Sequence, residues 1–240
     1  MNLIFDIGNT FNKLAVYDRS KKVFAVRTRE LSCEKLHEKI SPFRITKGII
    51  SSVKELPDFI FDLISVNIPF VHILSHNSKL PFKNEYETPD TLGPDRIAAV
   101  AGACFHFPGR EVLVIDAGSA ITYDFLSGKA YKGGNISPGL AMRMRALHRF
   151  TGRLPLVPVT GQYSVPARNT EEALRAGVIT GVVYEINEYI RTFKKEHKKS
   201  TVIITGGDGG FLKDKTGYRV KYLPDLVMDG LNYILEHNAK

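Results

Sequence analysis

At 240 residues, 43% of them hydrophobic and 24% charged, the chain has enough apolar material for one large domain or two small ones with proper cores. No apolar run approaches the roughly 20 residues of a bilayer crossing, and no basic stretch precedes an apolar region near Met1, so a cytoplasmic protein with no membrane partner is expected. The net charge of +8 is uneven: residues 1–120 carry 15 Lys and Arg against 14 Asp and Glu, and residues 121–240 carry 18 against 11, so the second half is the one that attracts anions. Cys33 and Cys104 are too few and too isolated for a disulfide framework, and no His/Cys cluster has zinc-ligand spacing.

In chain order, residues 2–6, 13–17 and 23–27 read as three short strands punctuated by Gly8-Asn9 and Arg19-Ser20-Lys21-Lys22, which makes a meander. Residues 31–40 have helical spacing; a strand at 48–51, a helix over 56–65 and a strand at 70–74 follow. Asn84-Glu85-Tyr86-Glu87-Thr88-Pro89 is a polar loop. It leads to Gly93-Pro94-Asp95-Arg96, where Pro94 suits the first position of a helix and Asp95 its first turn, ahead of apolar residues 97–104.

The second half repeats the theme, with strands near 112–116, 121–125 and 129–136 and then a helix from Pro138. Leu140, Met144 and Leu147 share one face of that helix with arginines between them, a packing face expected at a subunit interface. Thr170 is a natural N-cap for a long apolar helix running to about Lys195. The cluster Lys194-Lys195-Glu196-His197-Lys198-Lys199 reads as its solvated end, where cations suit the helix dipole. A strand at 201–205 precedes Gly206-Gly207-Asp208, and a helix over 224–237 closes the chain.

Two of these strands end alike. Asp6-Ile7-Gly8-Asn9-Thr10 and Asp116-Ala117-Gly118-Ser119-Ala120-Ile121-Thr122 each place an acid at a strand end, a glycine where backbone can approach a bulky anion, and hydroxyl or amide donors behind it. Either alone is also an ordinary exit from a strand into a turn. Two of them, about half a chain apart, point to a nucleotide gripped from both sides.

Together with Gly93-Pro94-Asp95-Arg96, Gly133-Gly134-Asn135-Ile136-Ser137-Pro138-Gly139 and Thr205-Gly206-Gly207-Asp208, these turns resemble the actin, Hsp70 and sugar-kinase superfamily and, within it, type III pantothenate kinase, over nearly the whole chain. Ser119 departs from the family's more frequent Thr but keeps the hydroxyl, and Pro94 takes a variable position. The resemblance implies duplicated actin-like (ribonuclease H-like) α/β domains, 1–110 and 111–240, with ATP in the cleft between the halves. It implies phosphorylation of the terminal hydroxyl of pantothenate by ATP, the opening step of coenzyme A synthesis.

An ionised Asp95 within reach of a primary hydroxyl can take its proton, or it can simply complement the helix terminus; the resemblance favours the base. Arg96 can pair with the pantothenate carboxylate or form a surface ion pair. For the nucleotide, the segment Asp6, Ile7, Gly8, Asn9, Thr10, Phe11, Asn12 and Lys13 would cradle phosphates, although Lys13 reads equally as an exposed strand lysine. Ser119 would face them from the other half. The resemblance places Tyr86, Gly93 and Pro94 in the pantothenate pocket and brings Thr170 to it from the partner subunit of a homodimer. It associates Asp116 with a monovalent cation, K+ or NH4+, and Mg2+ would be held through water by an Asp-x-Gly acid. The rival readings are a non-catalytic transcription accessory factor on the same fold, whose basic half touches nucleic acid, and another small-molecule kinase or ATPase of the superfamily. Retention of Asp95 and of both turns argues for the enzyme and against a nucleic-acid partner.

Overall fold

The computed structural model describes residues 1–29, 33–56, 60 and 68–239. The helix expected over 56–65 lies mostly outside them, as does the side chain of Cys33. The first strands are β1 (Asn2–Ile7), β2 (Asn12–Asp18) and β3 (Lys21–Thr28), followed by α1 (Cys33–Ile40), β4 (Lys47–Ser52), β5 (Phe70–Ile73), the short β6 (Lys83–Asn84) and α2 (Pro94–His106). Then come β7 (Val112–Ala117), β8 (Ala120–Ser127), β9 (Ala130–Pro138), α3 (Leu140–Phe150), α4 (Thr170–Glu196), β10 (Thr201–Thr205), α5 (Gly209–Lys213), β11 (Lys221–Tyr222) and α6 (Leu226–Asn238). The short elements β6, α5 and β11 go beyond the sequence reading; two to five residues carry no periodicity to detect.

By contact the chain forms two compact units interleaved in sequence: residues 1–110, 126–133 and 225–240, and residues 111–125 and 134–224. The first sheet has the order β3-β2-β1-β4-β5, with β1, β2 and β3 an antiparallel meander and β4 and β5 parallel to β1. The second has the order β11-β10-β7-β8-β9-β6, so an equivalent five-strand pattern recurs with β6 added at one edge. A strand meander followed by two crossover strands, made twice, is the duplicated α/β pattern of the sequence.

In the first unit β1 and β2 are buried on both faces, and the pleat sends Leu3, Phe5, Ile7, Leu14 and Val16 into one core with Leu36 and Ile40 of α1. Helix α2, buried from Arg96 to Cys104, packs on α6 so closely that a Cβ on Gly102 would strike the Leu226 carbonyl, and one on Gly230 the Ala98 carbonyl. In the second unit Val178, Val182, Ile186 and Ile190 of α4 line the core over β7 and β10. Each such side chain, fully withdrawn from water, contributes on the order of 1.5–3 kcal/mol. The result is one firm platform per unit, with each Asp-x-Gly turn at the end of its central strand.

Candidate active site

In the first unit, sheet register sets four polar side chains side by side on one face. Arg27 pairs with Lys13, Lys13 with Asp6, and Asp6 with Ser51, across β3, β2, β1 and β4. The loop beyond them is open: Gly8 donates its N–H to the Phe11 carbonyl at 3.2 Å, and Asn9 and Thr10 are exposed. Phe11 is capped by the guanidinium of Arg27, 3.6 Å from the ring centroid, with that of Arg29 at 5.0 Å.

Asp6 is 9% exposed, and burial holds its carboxyl above the usual carboxylate range. Lys13, 3.7 Å away and partly exposed, pulls it down, while the charge of Asp95 pushes it further up. So Lys13 is the partner of a buried acid as well as a strand lysine, and Asp95 lies close enough to Asp6 for the two charges to interact.

Asp95 occupies the first turn of α2, with Gly93 as N-cap and Pro94 at the first helical position, as the spacing predicts. Its Oδ1 accepts the Arg96 N–H at 2.9 Å, and a Cβ on Gly93 would come within 2.5 Å of that oxygen. Arg96 is buried, 4% exposed, so the surface ion pair does not describe it; its Nη2 donates to the Tyr131 hydroxyl at 2.7 Å. Tyr86 stacks on Tyr131 with centroids 6.1 Å apart, and the Arg96 guanidinium lies 5.5 Å from the Tyr86 ring centroid. The sequence reading missed Tyr131. Only pairing of Asn84 with Tyr131 across β6 and β9 brings it to this place. Beside Tyr86, Glu85 is bridged by Lys132 at 2.6 Å and Lys83 at 2.8 Å, and these hold its carboxyl down at about 2.

In the second unit the turn is tight: Gly118 donates to the Ala120 carbonyl at 2.9 Å, and Ser119 is exposed at its tip. Asp116 is paired in register with Thr205, and the next residue, Gly206, has φ +89°. There a Cβ would strike both Asp116 Oδ1 and the Ala117 carbonyl, so two oxygens converge on bare backbone. Thr170 is the first residue of α4 and not its cap. Asn169 caps instead, its Oδ1 accepting the Glu172 N–H at 3.0 Å, because an amide side chain can bond Glu172 in both directions. Thr170 lies exposed on a largely apolar groove of about 710 Å³ lined by Leu147, Phe150, Leu154, Leu174 and Val178.

These residues fit a magnesium nucleotide. Among the described residues no group of three or more His, Cys, Asp or Glu could cage a metal, and Mg2+ needs none, because it is usually held by one or two carboxylates plus phosphate and water. Asp6, buried beside Lys13, is a carboxylate of that kind. Ser51 Oγ and Asn12 Oδ1 are buried polar atoms with no hydrogen-bond partner among the described residues, next to the same turn. Cys104 is buried and its thiol pushed up to about 11, which leaves it chemically inert at neutral pH.

A family model described as type III pantothenate kinase matches residues 2–192. A type III pantothenate kinase of Bacteroides fragilis is 44% identical over 240 residues, 99% of this chain and 98% of its own. The crystal structure of a Campylobacter jejuni protein described as a Baf family transcriptional activator is 27% identical, with TM-score 0.65 over 99% of this chain and 98% of that one. A 2-dehydro-3-deoxygalactonokinase structure from Sinorhizobium meliloti, at 14% identity and TM-score 0.60, covers 100% of this chain and 98% of its own and shares the fold.

Proposed function

The chain belongs to the type III pantothenate kinase family, which phosphorylates the hydroxyl of pantothenate with ATP in coenzyme A synthesis, and from that premise we propose how its own residues divide the reaction. Asp95 is the base. With Oδ1 tied to the Arg96 N–H, Oδ2 takes the hydroxyl proton as that oxygen attacks the γ-phosphorus. Arg96, held by the Tyr131 hydroxyl, pairs with the pantothenate carboxylate, and Tyr86 lines the same pocket with Gly93 and Pro94. The observation that supports this reading is the charge interaction of Asp95 with the buried Asp6 of the first Asp-x-Gly turn.

The turn from Asp6 through Ile7, Gly8, Asn9, Thr10, Phe11 and Asn12 to Lys13 cradles the phosphates. Asp6 would hold Mg2+ through water, Lys13 balances the charge of that acid, and Ser119 donates its hydroxyl to a phosphate oxygen. Bound Mg2+ supplies neutralisation of the charge on the transferring phosphoryl group. Asp116 and the Ala117 carbonyl suit K+ or NH4+, as an all-oxygen pair does for a hard monovalent ion. A second copy of the chain covers the groove between α3 and α4, where Phe150 is 80% exposed, and Thr170 then serves the partner's pocket. Among the described residues no helix is long and apolar enough to cross a membrane, in keeping with work in the cytoplasm.

The test is an ATP-coupled assay across candidate acceptors with Asp95→Asn alongside. Pantothenate is the acceptor expected, and kcat of the variant falls by about 10²–10⁴-fold, the scale of a lost general base. A near wild-type rate in Asp95→Asn overturns the assignment of the base, and turnover that ignores pantothenate overturns the substrate. Thr170→Ala raises KM for pantothenate without changing the dimer seen by sedimentation; a monomer at assay concentration refutes the shared pocket.

A further inference from the structure

We propose that Glu185 is a positioning residue for ATP, fixing the Gly118-Ser119 turn through residues 137–139. The inference rests on the reading of Ser119 as a phosphate contact. Glu185 lies on α4, and its carboxylate, 24% exposed, is shared by donors from three other elements. Oε1 accepts the Tyr123 hydroxyl of β8 at 2.8 Å and the Ser137 hydroxyl of β9 at 2.5 Å; Oε2 accepts Nη2 of Arg143 on α3 at 2.5 Å.

Burial by itself would lift the Glu185 pKa, but hydrogen bonds from Ser137, Arg143 and Tyr123 together with the arginine charge hold it below its usual value. The acid is therefore an anion at neutral pH, and the phenol of Tyr123, pushed up by burial and by that anion, remains a donor. Tyr123 is pinned in turn by stacking on Tyr189 of α4, centroids 3.8 Å apart and planes 14° from parallel.

From this carboxylate a run of direct contacts leads to the turn. Arg143 also donates its Nε to the Pro138 carbonyl at 2.8 Å, so Glu185 grips the segment at Ser137 and, through the arginine, at Pro138. The next residue, Gly139, donates its N–H to the Ser119 carbonyl at 3.1 Å. A Cβ on Gly139 would strike the carbonyls of both Gly118 and Ser119, so segment and turn touch backbone to backbone with no slack. A shift at Ser137 or Pro138 is passed on to the Ser119 turn, and Glu185 holds Ser137 directly while fixing the arginine that bonds both Ser137, at 3.4 Å, and Pro138. An ion pair serving stability alone would have no reason to collect three donors from the two strands and the helix around this one turn.

The experiment is steady-state kinetics of the full chain with ATP and pantothenate varied separately, on Glu185→Gln, Ser119→Ala and the double variant, with thermal melts alongside. Glu185→Gln keeps the side-chain volume and an acceptor for Tyr123, so it carries the test even where Glu185→Ala does not fold. KM for ATP rises about tenfold in Glu185→Gln, the scale of a lost charge-assisted hydrogen bond, while KM for pantothenate stays put. The double variant is no worse than the more impaired single one, because both act at one contact. A normal Ser119→Ala strikes the reading of the turn and the inference with it. An impaired Ser119→Ala beside a Glu185→Gln with unchanged KM for ATP, or effects that multiply in the double variant, overturns the inference alone.

Discussion

The two Asp-x-Gly turns have the same sequence signature and opposite mechanics. The first spans four residues between β1 and β2, closes with a 3.2 Å hydrogen bond from Gly8 to Phe11, and leaves Asn9 and Thr10 exposed. The second spans two residues between β7 and β8, closes at 2.9 Å from Gly118 to Ala120, and is backed by the bare backbones of Gly139 and Gly206. The acids differ too: Asp6 is buried against Lys13 and close to Asp95, and Asp116 is only half-buried beside Gly206. A loose turn with a buried charge can close on a ligand and adjust its protonation. A braced turn can only present a donor in a fixed place. The signature thus fixes the local order of acid, glycine and donor, and leaves stiffness to the surroundings.

The largest expected effect tests the bracing. Gly206→Ala forces a positive φ on an L side chain and drives a Cβ into two oxygens, so it costs about 3 kcal/mol or more in a denaturant titration. Gly8→Ala meets only the Phe11 carbonyl, 2.8 Å from the new Cβ, in a turn with room to give; it costs about 1 kcal/mol. Equal costs would erase the distinction.

Asp6→Asn separates stability from function in the first unit. Activity falls about 10²-fold with the lost phosphate-site charge, while the ligand-free protein becomes more stable at neutral pH because a buried charge has been removed. The folded pKa of Asp6 lies above its ordinary 3.8, so the folded state holds the proton more tightly. Stability of the ligand-free chain therefore declines as pH rises from 3.8 through the folded value, and Asn abolishes that slope. Glu185 has the opposite sign. Its folded pKa lies below the ordinary 4.5, so its contribution is complete above 4.5 and is lost as pH falls through the folded value. Urea midpoints against pH for Asp6→Asn and Glu185→Gln should depart from the wild-type curve in opposite directions, and curves that depart in the same direction would break the comparison.

The smallest effect is expected at Ser51. Its hydroxyl is buried and unpartnered among the described residues, so Ser51→Ala leaves the ligand-free protein unchanged or up to about 1 kcal/mol more stable. A loss of stability would mean that the hydroxyl has a structural partner.

Much of the site was legible in advance because its parts are local. Strand, acid, glycine and donor follow within a few residues at both turns, and proline plus acid mark the start of α2. What escaped depends on residues far apart in the chain. Tyr131 reaches Arg96 and Tyr86 only through the β6–β9 pairing, and Ser51 reaches Asp6 only through the register of β4. Thr170 has the composition of a cap, yet Asn169 outcompetes it by bonding Glu172 from both ends of its amide.

By itself the sequence determined the periodicities, the two Asp-x-Gly turns and the family, all of which are encoded in spacings of ten residues or fewer or in their order along the chain. Tertiary structure alone decided which acid is buried, which turn is braced, and that α6 closes against α2 through Gly102 and Gly230. Burial and close backbone approach arise only when distant segments exclude water together. Protonation and stiffness follow from that exclusion and not from any one segment.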